Sequence, residues 1–198
     1  MTLHPRLIHS LRTAAVVLVI GTGLAACDGG SDGPKPPIDS TLVDGKVCGL
    51  FDPDLVKSVI GHDEIKVRGT GIGDVTKRTD DTIDCDVVDD RRVASTIQVI
   101  VAEQPDASDH ASTETMLTNE LAGKTDCSQP ASITELGPGY VCTREDGQVQ
   151  LNVLLPKRLV RLSYQPGPDA KGDATATAVK LVKDVDANID AYDKKHAG

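Results

Sequence analysis

Five cysteines carry the most readable chemistry in this 198-residue chain. Cys27 closes the run Leu24-Ala25-Ala26-Cys27, behind Arg6, Arg12 and the apolar stretch Ala14-Ala15-Val16-Val17-Leu18-Val19-Ile20. A basic start, an apolar core of about 7–15 residues and small residues at the cut make a removable export signal. The apolar run is too short for a spanning helix, which needs about 20 such residues. With Ala25 and Ala26 small enough to fit a peptidase, the Cys27 thiol is placed for diacylglyceryl transfer. The pattern is that of a lipobox and predicts a signal peptide at residues 1–26, with lipidated Cys27 as the first residue of the mature chain. Two or three acyl chains would hold it firmly, since each buried methylene contributes about 0.8 kcal/mol.

The other cysteines are Cys48, Cys85, Cys127 and Cys142. An even number in an exported domain reads as two disulfides. Of the three pairings, Cys48–Cys85 with Cys127–Cys142 is preferred. Closing the shorter loop would contribute roughly 3 kcal/mol and the longer roughly 4 kcal/mol. Zinc is a poor rival, because neither a Cys-x-x-Cys pair nor a neighbouring histidine completes a ligand set.

Other chemistry is sparse. The chain has neither a Gly-x-Ser-x-Gly elbow nor a His-Glu-x-x-His motif. His62, His110 and His196 stand beside no evident nucleophile and are read as surface residues. Gly69-Thr70-Gly71-Ile72-Gly73 lacks the spacing and the following helix of a phosphate loop. Asp80, Asp81, Asp84, Asp86, Asp89 and Asp90 are crowded enough to suggest calcium, but their order does not match a calcium loop, and a solvated edge is the reading adopted. Catalytic residues, cofactor and metal are therefore all expected to be none. Four aromatic residues, Phe51, Tyr140, Tyr164 and Tyr192, give little stacking surface for sugars. A hydrogen-bonding site for a peptide or small ligand remains open.

The net charge is −9, and loss of Arg6 and Arg12 with the signal takes it to −11. Such a surface argues against nucleic acid and against electrostatic docking on anionic lipid, leaving the lipid on Cys27 to hold the membrane. Residues 27–46, rich in Gly, Pro and Asp, read as a flexible linker reaching roughly 25 Å. Residues 47–198 read as one extracytoplasmic domain.

The elements that would position these residues form an α+β fold, mainly an antiparallel sheet with helices packed against it. Asp52 and Pro53 predict a helix cap and first turn, with Leu55, Val56, Val59 and Ile60 on one face and Gly61 as the stop. Strands are expected at 65–68, 82–88, 93–102, 133–136, 140–144, 148–155 and 158–164, with helices at 109–122 and after Asp173. Asp146-Gly147 predicts a two-residue type I′ hairpin. In the last helix Ala178, Leu181, Val182, Val185, Ile189 and Tyr192 share a face expected to pack on the sheet. Ile60-Gly61 before the Cys85 strand and Leu136-Gly137 before the Cys142 strand echo each other, and suggest two related helix-plus-strands halves.

The lipobox, the tether and Val47-Cys48-Gly49-Leu50-Phe51-Asp52-Pro53 leading a helix that ends Ile60-Gly61 resemble a family of small actinobacterial cell-envelope lipoproteins of unknown function. In that family a second cysteine lies in a strand, as Cys85 would; an aromatic often stands where this chain has Val87. The architecture also looks like the extracellular sensor domains of some actinobacterial Ser/Thr kinases. The resemblance implies an α+β fold on the outer face of the cell membrane and carries over no catalytic residue. The expectation is a lipid-anchored, non-enzymatic binding module whose partner is an envelope protein or small ligand. The alternatives are a carrier of an apolar molecule and a hydrolase with a dispersed site.

Overall fold

The structure, a computed structural model, describes residues 42–68, 82–89, 95–104, 106–168, 170 and 172–196. The expected signal peptide, Cys27, the linker as far as residue 41, the glycine-rich stretch at 69–73, Asp80, Asp81 and residues 90–94 lie outside them.

The described residues begin inside the expected linker. β1 (Leu42–Val43) and β2 (Lys46–Val47) form a small hairpin. Asp44 and Gly45 turn it with φ of 55° and 75°, the left-handed pair a type I′ turn requires. Leu42 and Val43 pack against the core, so burial of two apolar residues draws this end of the linker into the fold. After β2 the chain coils tightly, with the Leu50 and Phe51 N–H groups both donating to the Val47 carbonyl. Cys48 and Gly49 are left-handed here, at φ 58° and 74°. A side chain on Gly49 would also overlap the Tyr192 ring.

α1 (Pro53–Ile60) starts and stops as its sequence predicts. Asp52 accepts from the Asp54 N–H at 2.9 Å, and left-handed Gly61 donates to the Lys57 carbonyl. The Asp54 N–H and then Lys46 hold the Asp52 carboxyl below its ordinary range.

Seven strands make one antiparallel sheet. They are β3 (Ile65–Arg68), β4 (Thr82–Asp89), β5 (Ser95–Glu103), β6 (Cys127–Ser128), β7 (Gly139–Thr143), β8 (Val149–Leu155) and β9 (Arg158–Tyr164). Their order is β3-β4-β5-β9-β8-β7-β6. The connecting helices are α2 (Ala107–Ala122), α3 (Ala131–Thr134) and α4 (Ala174–His196). From α1 onward the chain runs α1, β3, β4, β5, α2 and then β6, α3, β7, β8, β9, α4, and the two parts meet where β5 pairs with β9.

Three local expectations are corrected. Residues 133–136, expected as a strand, hold the end of α3 and a turn: the Thr134 N–H donates to the Pro130 carbonyl and the Leu136 N–H to that of Ile133. Pro130 before the turn, with Ile133 and Leu136 three residues apart both packing on the core, suits a helical turn better than a ladder. The β7–β8 hairpin closes on three residues, because Gly147 donates to the Arg144 carbonyl and Arg144 to that of Gln148. Gly147 alone is left-handed, so the loop is a type I turn with a glycine bulge. α2 begins two residues early, because Asp106 caps it through the Ser108 and Asp109 N–H groups.

The helices cover both sheet faces. α1, α3 and α4 pack on one face, where Val99, Leu151, Val153, Val160, Leu181 and Val185 are fully buried or nearly so. α2 packs on the other, placing Leu117 against Tyr140, Cys142, Leu154 and Leu159. Strand alternation demands this split, since Tyr140 and Val141 must point opposite ways. There Tyr140 donates to Glu120 at 2.7 Å, and its phenol is pushed up to about 12 by burial and then by that carboxylate.

The disulfides are Cys48–Cys85 and Cys127–Cys142, the preferred pairing. The first ties the coil before α1 to the middle of β4. The second links register partners on β6 and β7. α4 clamps the same coil: Asp184 accepts from the Asp52 N–H, and Asn188 donates to the Leu50 carbonyl at 2.9 Å.

Candidate functional site

The residues first considered for chemistry fall into separate places. Cys48 and Cys85 are wholly buried, and both are consumed in their disulfide. Asp126 lies beside Cys127 and Cys142, but those two sulfurs are bonded to each other and hold no thiolate for a metal.

His62 is not the surface residue expected. Its side chain is 14% exposed, and Nε2 lies 3.1 Å from Oδ1 of the nearly buried Asp89. Its Nδ1 accepts from the Glu64 N–H at 3.0 Å. Both nitrogens face protein groups, which makes the pair a staple between the α1–β3 corner and the end of β4. His110 is partly buried on α2, and the side chain of His196 lies outside the described residues.

Asp84 and Asp86 do not form a solvated edge. β3 pairs outside β4, so the two carboxylates sit on an interior strand, half-buried on the face away from the main core. Burial, and then the charge of Asp86, raise the Asp84 carboxyl above its ordinary 3.8. A raised carboxyl favours the folded state when protonated. Its contribution is complete below the unfolded value and is lost as pH climbs through the folded one. Asp84→Asn is therefore expected to melt above the wild type at pH 7, and at the same temperature near about pH 3, where both side chains are neutral. Thermal melts at the two pH values check this; a lower melting temperature at pH 7 would contradict it.

The same face carries a shallow groove of about 160 Å³. Register places Gln98, Ser163 and Gln150 in one cross-sheet row and Ile100, Arg161 and Asn152 in the next. Arg161 leans toward Glu120, 3.6 Å away.

A larger cleft lies on the other side, between α1, the first turns of α4 and the chain leaving β9. Its volume is about 710 Å³. α1 buries Val56, Val59 and Ile60, which leaves Lys57 and Ser58 beside the opening. α4 buries Ala178, Leu181 and Val182, which leaves Thr177 and Lys180 facing them. Tyr164, 2% exposed, ends β9 at the floor, with Leu55 and Val59 as an apolar wall. The Ser58 and Thr177 hydroxyls donate back to the Leu55 and Asp173 carbonyls. Among the described lining residues the charged donors are the two lysines, and the arrangement can bind. The chain matches no family model, no curated protein and no solved structure.

The cleft was not anticipated in the sequence, where Leu55, Val59 and Gly61 read only as the face and end of a helix. Lys57 and Lys180 are 123 positions apart, and each reads as an ordinary solvated charge on an amphipathic helix. The only available signal was negative: the helical faces that do not feed the core had to point somewhere. Among the described residues no helix is long and apolar enough to cross a membrane.

Proposed function

We propose that this protein is a lipid-anchored, extracytoplasmic binding module. Residues 1–26 export it, Cys27 carries the lipid, and the domain beyond the tether takes up a small ligand in the cleft between α1 and α4. The location follows from the lipobox residues and accords with the small actinobacterial envelope lipoproteins that the chain resembles. The binding role rests on one observation, an open cleft of about 710 Å³ in a domain whose sheet–helix core is filled. Small-ligand sites commonly measure about 300–1,000 Å³ and combine apolar walls with a few polar groups. A carrier of apolar cargo would need an apolar chamber, and the space between sheet and α4 is instead occupied by residues such as Leu151, Val153, Leu181 and Val185. A hydrolase draws no support from His62, whose Nδ1 accepts from the Glu64 N–H and whose Nε2 lies against Asp89.

The anchor is tested by Cys27→Ala expressed with a labelled fatty acid. The wild type is expected in the membrane fraction carrying label, and the variant without label; a labelled variant would overturn the anchor. The binding role is tested by purifying the wild-type protein from native membranes and analysing what accompanies it. A small molecule whose readdition shifts the Thr177 and Lys180 amide resonances supports the reading. Readdition shifts confined to the opposite sheet face would remove the cleft from it.

A further inference from the structure

We infer that the sheet face away from the main core carries a second binding site, in the groove over β5, β9 and β8, for a small neutral molecule with one amide group. The site lies on the other side of the sheet from the α1–α4 cleft and is independent of it. β8 sends Leu154 under α2 and, by strand alternation, Asn152 and Gln150 onto the same face beyond it. Register sets Asn152 in a row with Arg161 and Ile100, and Gln150 in a row with Ser163 and Gln98, with neighbouring strands about 4.8 Å apart. All three strands are paired on both sides, so these groups stand on a fixed platform. Asn152 is the deciding residue. It is only 9% exposed and borders the groove, yet its side-chain amide makes no hydrogen bond among the described residues. A buried amide left unpaired is costly, so a group of this kind calls for a partner from outside the chain.

The neighbours of Asn152 define that partner. The Gln98 amide and the Ser163 hydroxyl, both half-buried, also lack a hydrogen bond among the described residues. Gln150 gives one donor to Gln148 at 3.3 Å. Arg161 is 3.6 Å from the Glu120 carboxylate and 3.9 Å from the Met116 sulfur, so most of its five N–H groups remain for a ligand carbonyl. Carboxamides and a hydroxyl donate and accept at once, which suits a ligand that does both. Charge narrows the class further. Arg161 stands on one side of the groove. On the other side, β4 places Asp84 opposite Ile100 and Asp86 opposite Gln98. An anion would meet two carboxylates, and a cation would meet the guanidinium. A neutral amide fits between them, its carbonyl toward Arg161 and its N–H toward Gln98, with its dipole along the local field. Ile100 gives its apolar body a contact. The groove measures about 160 Å³, the volume of roughly five waters, which limits the ligand to one such group.

The test uses the full-length lipidated protein in phosphatidylcholine nanodiscs, with empty nanodiscs as the blank, and follows the side-chain amide resonances of Gln98 and Asn152. The probes, of similar shape, are isobutyramide, isobutyrate, isobutylammonium and methyl isopropyl ketone, with N-methylpropanamide as a peptide-type amide. Saturable shifts from an amide are expected, with both ions and the ketone weaker by about tenfold, the scale of one hydrogen-bonding group left unmatched. Tighter binding of isobutyramide would assign a primary amide, and tighter binding of N-methylpropanamide a peptide bond. Asn152→Leu should weaken the amide by about tenfold and leave the melting temperature at or above that of the wild type, because an apolar side chain of similar shape removes an unpaired amide. A lower melting temperature would return Asn152 to the fold and overturn its role here. Gln98→Leu, at a half-buried position, tests the groove without touching Asn152 and should weaken the amide by a similar factor. Equal binding of the ketone or of either ion, unchanged affinity in either variant, or shifts from no probe at these two side chains would overturn the site. None of these readouts involves Thr177 or Lys180, so the cleft reading stands or falls separately.

Discussion

The double variant Cys48→Ala/Cys85→Ala is expected to lose about 4 kcal/mol of unfolding free energy, the chain-entropy value for a loop of this length. The bond spans 37 residues, and the loop it closes holds α1, β3 and the first part of β4. Neither sulfur is reachable by solvent, so the change also removes packed atoms from the core. Cys48 is held in a left-handed conformation that a non-glycine residue adopts at some cost, about 1–2 kcal/mol. The disulfide and the hydrogen bonds from α4 maintain that conformation together. Once the bond is gone, the coil at 47–51 rests on Asp184, Asn188 and its own backbone hydrogen bonds. Cys127→Ala/Cys142→Ala is the matched comparison. Its bond spans 15 residues and joins strands already paired in register, so a smaller loss of about 3 kcal/mol is expected. Urea unfolding of both variants gives the order. For a domain of this size a loss of about 4 kcal/mol corresponds to a fall in Tm on the order of 10 °C. A larger loss from the Cys127–Cys142 pair would contradict the assignment of Cys48–Cys85 as the principal covalent brace.

Gly139→Ala is expected to be nearly as disruptive, at about 3 kcal/mol. Gly139 is buried at the start of β7 and pairs with Val153 of β8. A Cβ there would overlap the Asn152 carbonyl oxygen and lie 2.8 Å from the Val153 Cα. Those are backbone atoms of a central strand, and they cannot yield as a side-chain tip can. The approach is drawn tight by the Leu154 N–H, which donates to the Pro138 carbonyl at 2.8 Å. Gly147→Ala separates this steric effect from ordinary turn strain. Gly147 is left-handed at φ 80°, but a Cβ there meets nothing within 4 Å. It should therefore cost only about 1 kcal/mol. Equal losses from the two variants would mean that close backbone apposition is not what Gly139 provides.

Both variants act at places where sequence reading succeeded in type and fell short in placement. Proline and glycine mark turns through their own backbone preferences, so Gly137-Pro138-Gly139 reads as a turn between the segments at 133–136 and 140–144. That the turn lies flush on β8 was not legible, since it depends on an hydrogen bond between residues 16 apart. The β1–β2 hairpin was passed over although Asp44-Gly45 carries the same signal as Asp146-Gly147. The Gly- and Pro-rich residues before it dominated the composition, and only two flanking apolar residues announced the strands. Ile133 to Leu136 was misread because a four-residue stretch with apolar ends fits either period; the helical turn emerged from the carbonyl of Pro130. Asp84 and Asp86 were read as an edge because β3 is four residues long and its pairing with β4 bridges a long intervening segment.

The candidate site was the least legible part. Its lysines come from two helices far apart in the chain, and each alone is unremarkable. The cap and stop of α1, the strand alternation and the apolar face of α4 were determined by the sequence itself, because each depends on residues near one another or on a repeat that a packed interface imposes. The sheet order, the assignment of α2 to one face and α1 and α4 to the other, and the placement of Lys57 and Lys180 beside one cleft were decided only by the tertiary structure. Those features depend on which surfaces remain after the core is filled, and no local pattern records what is left over.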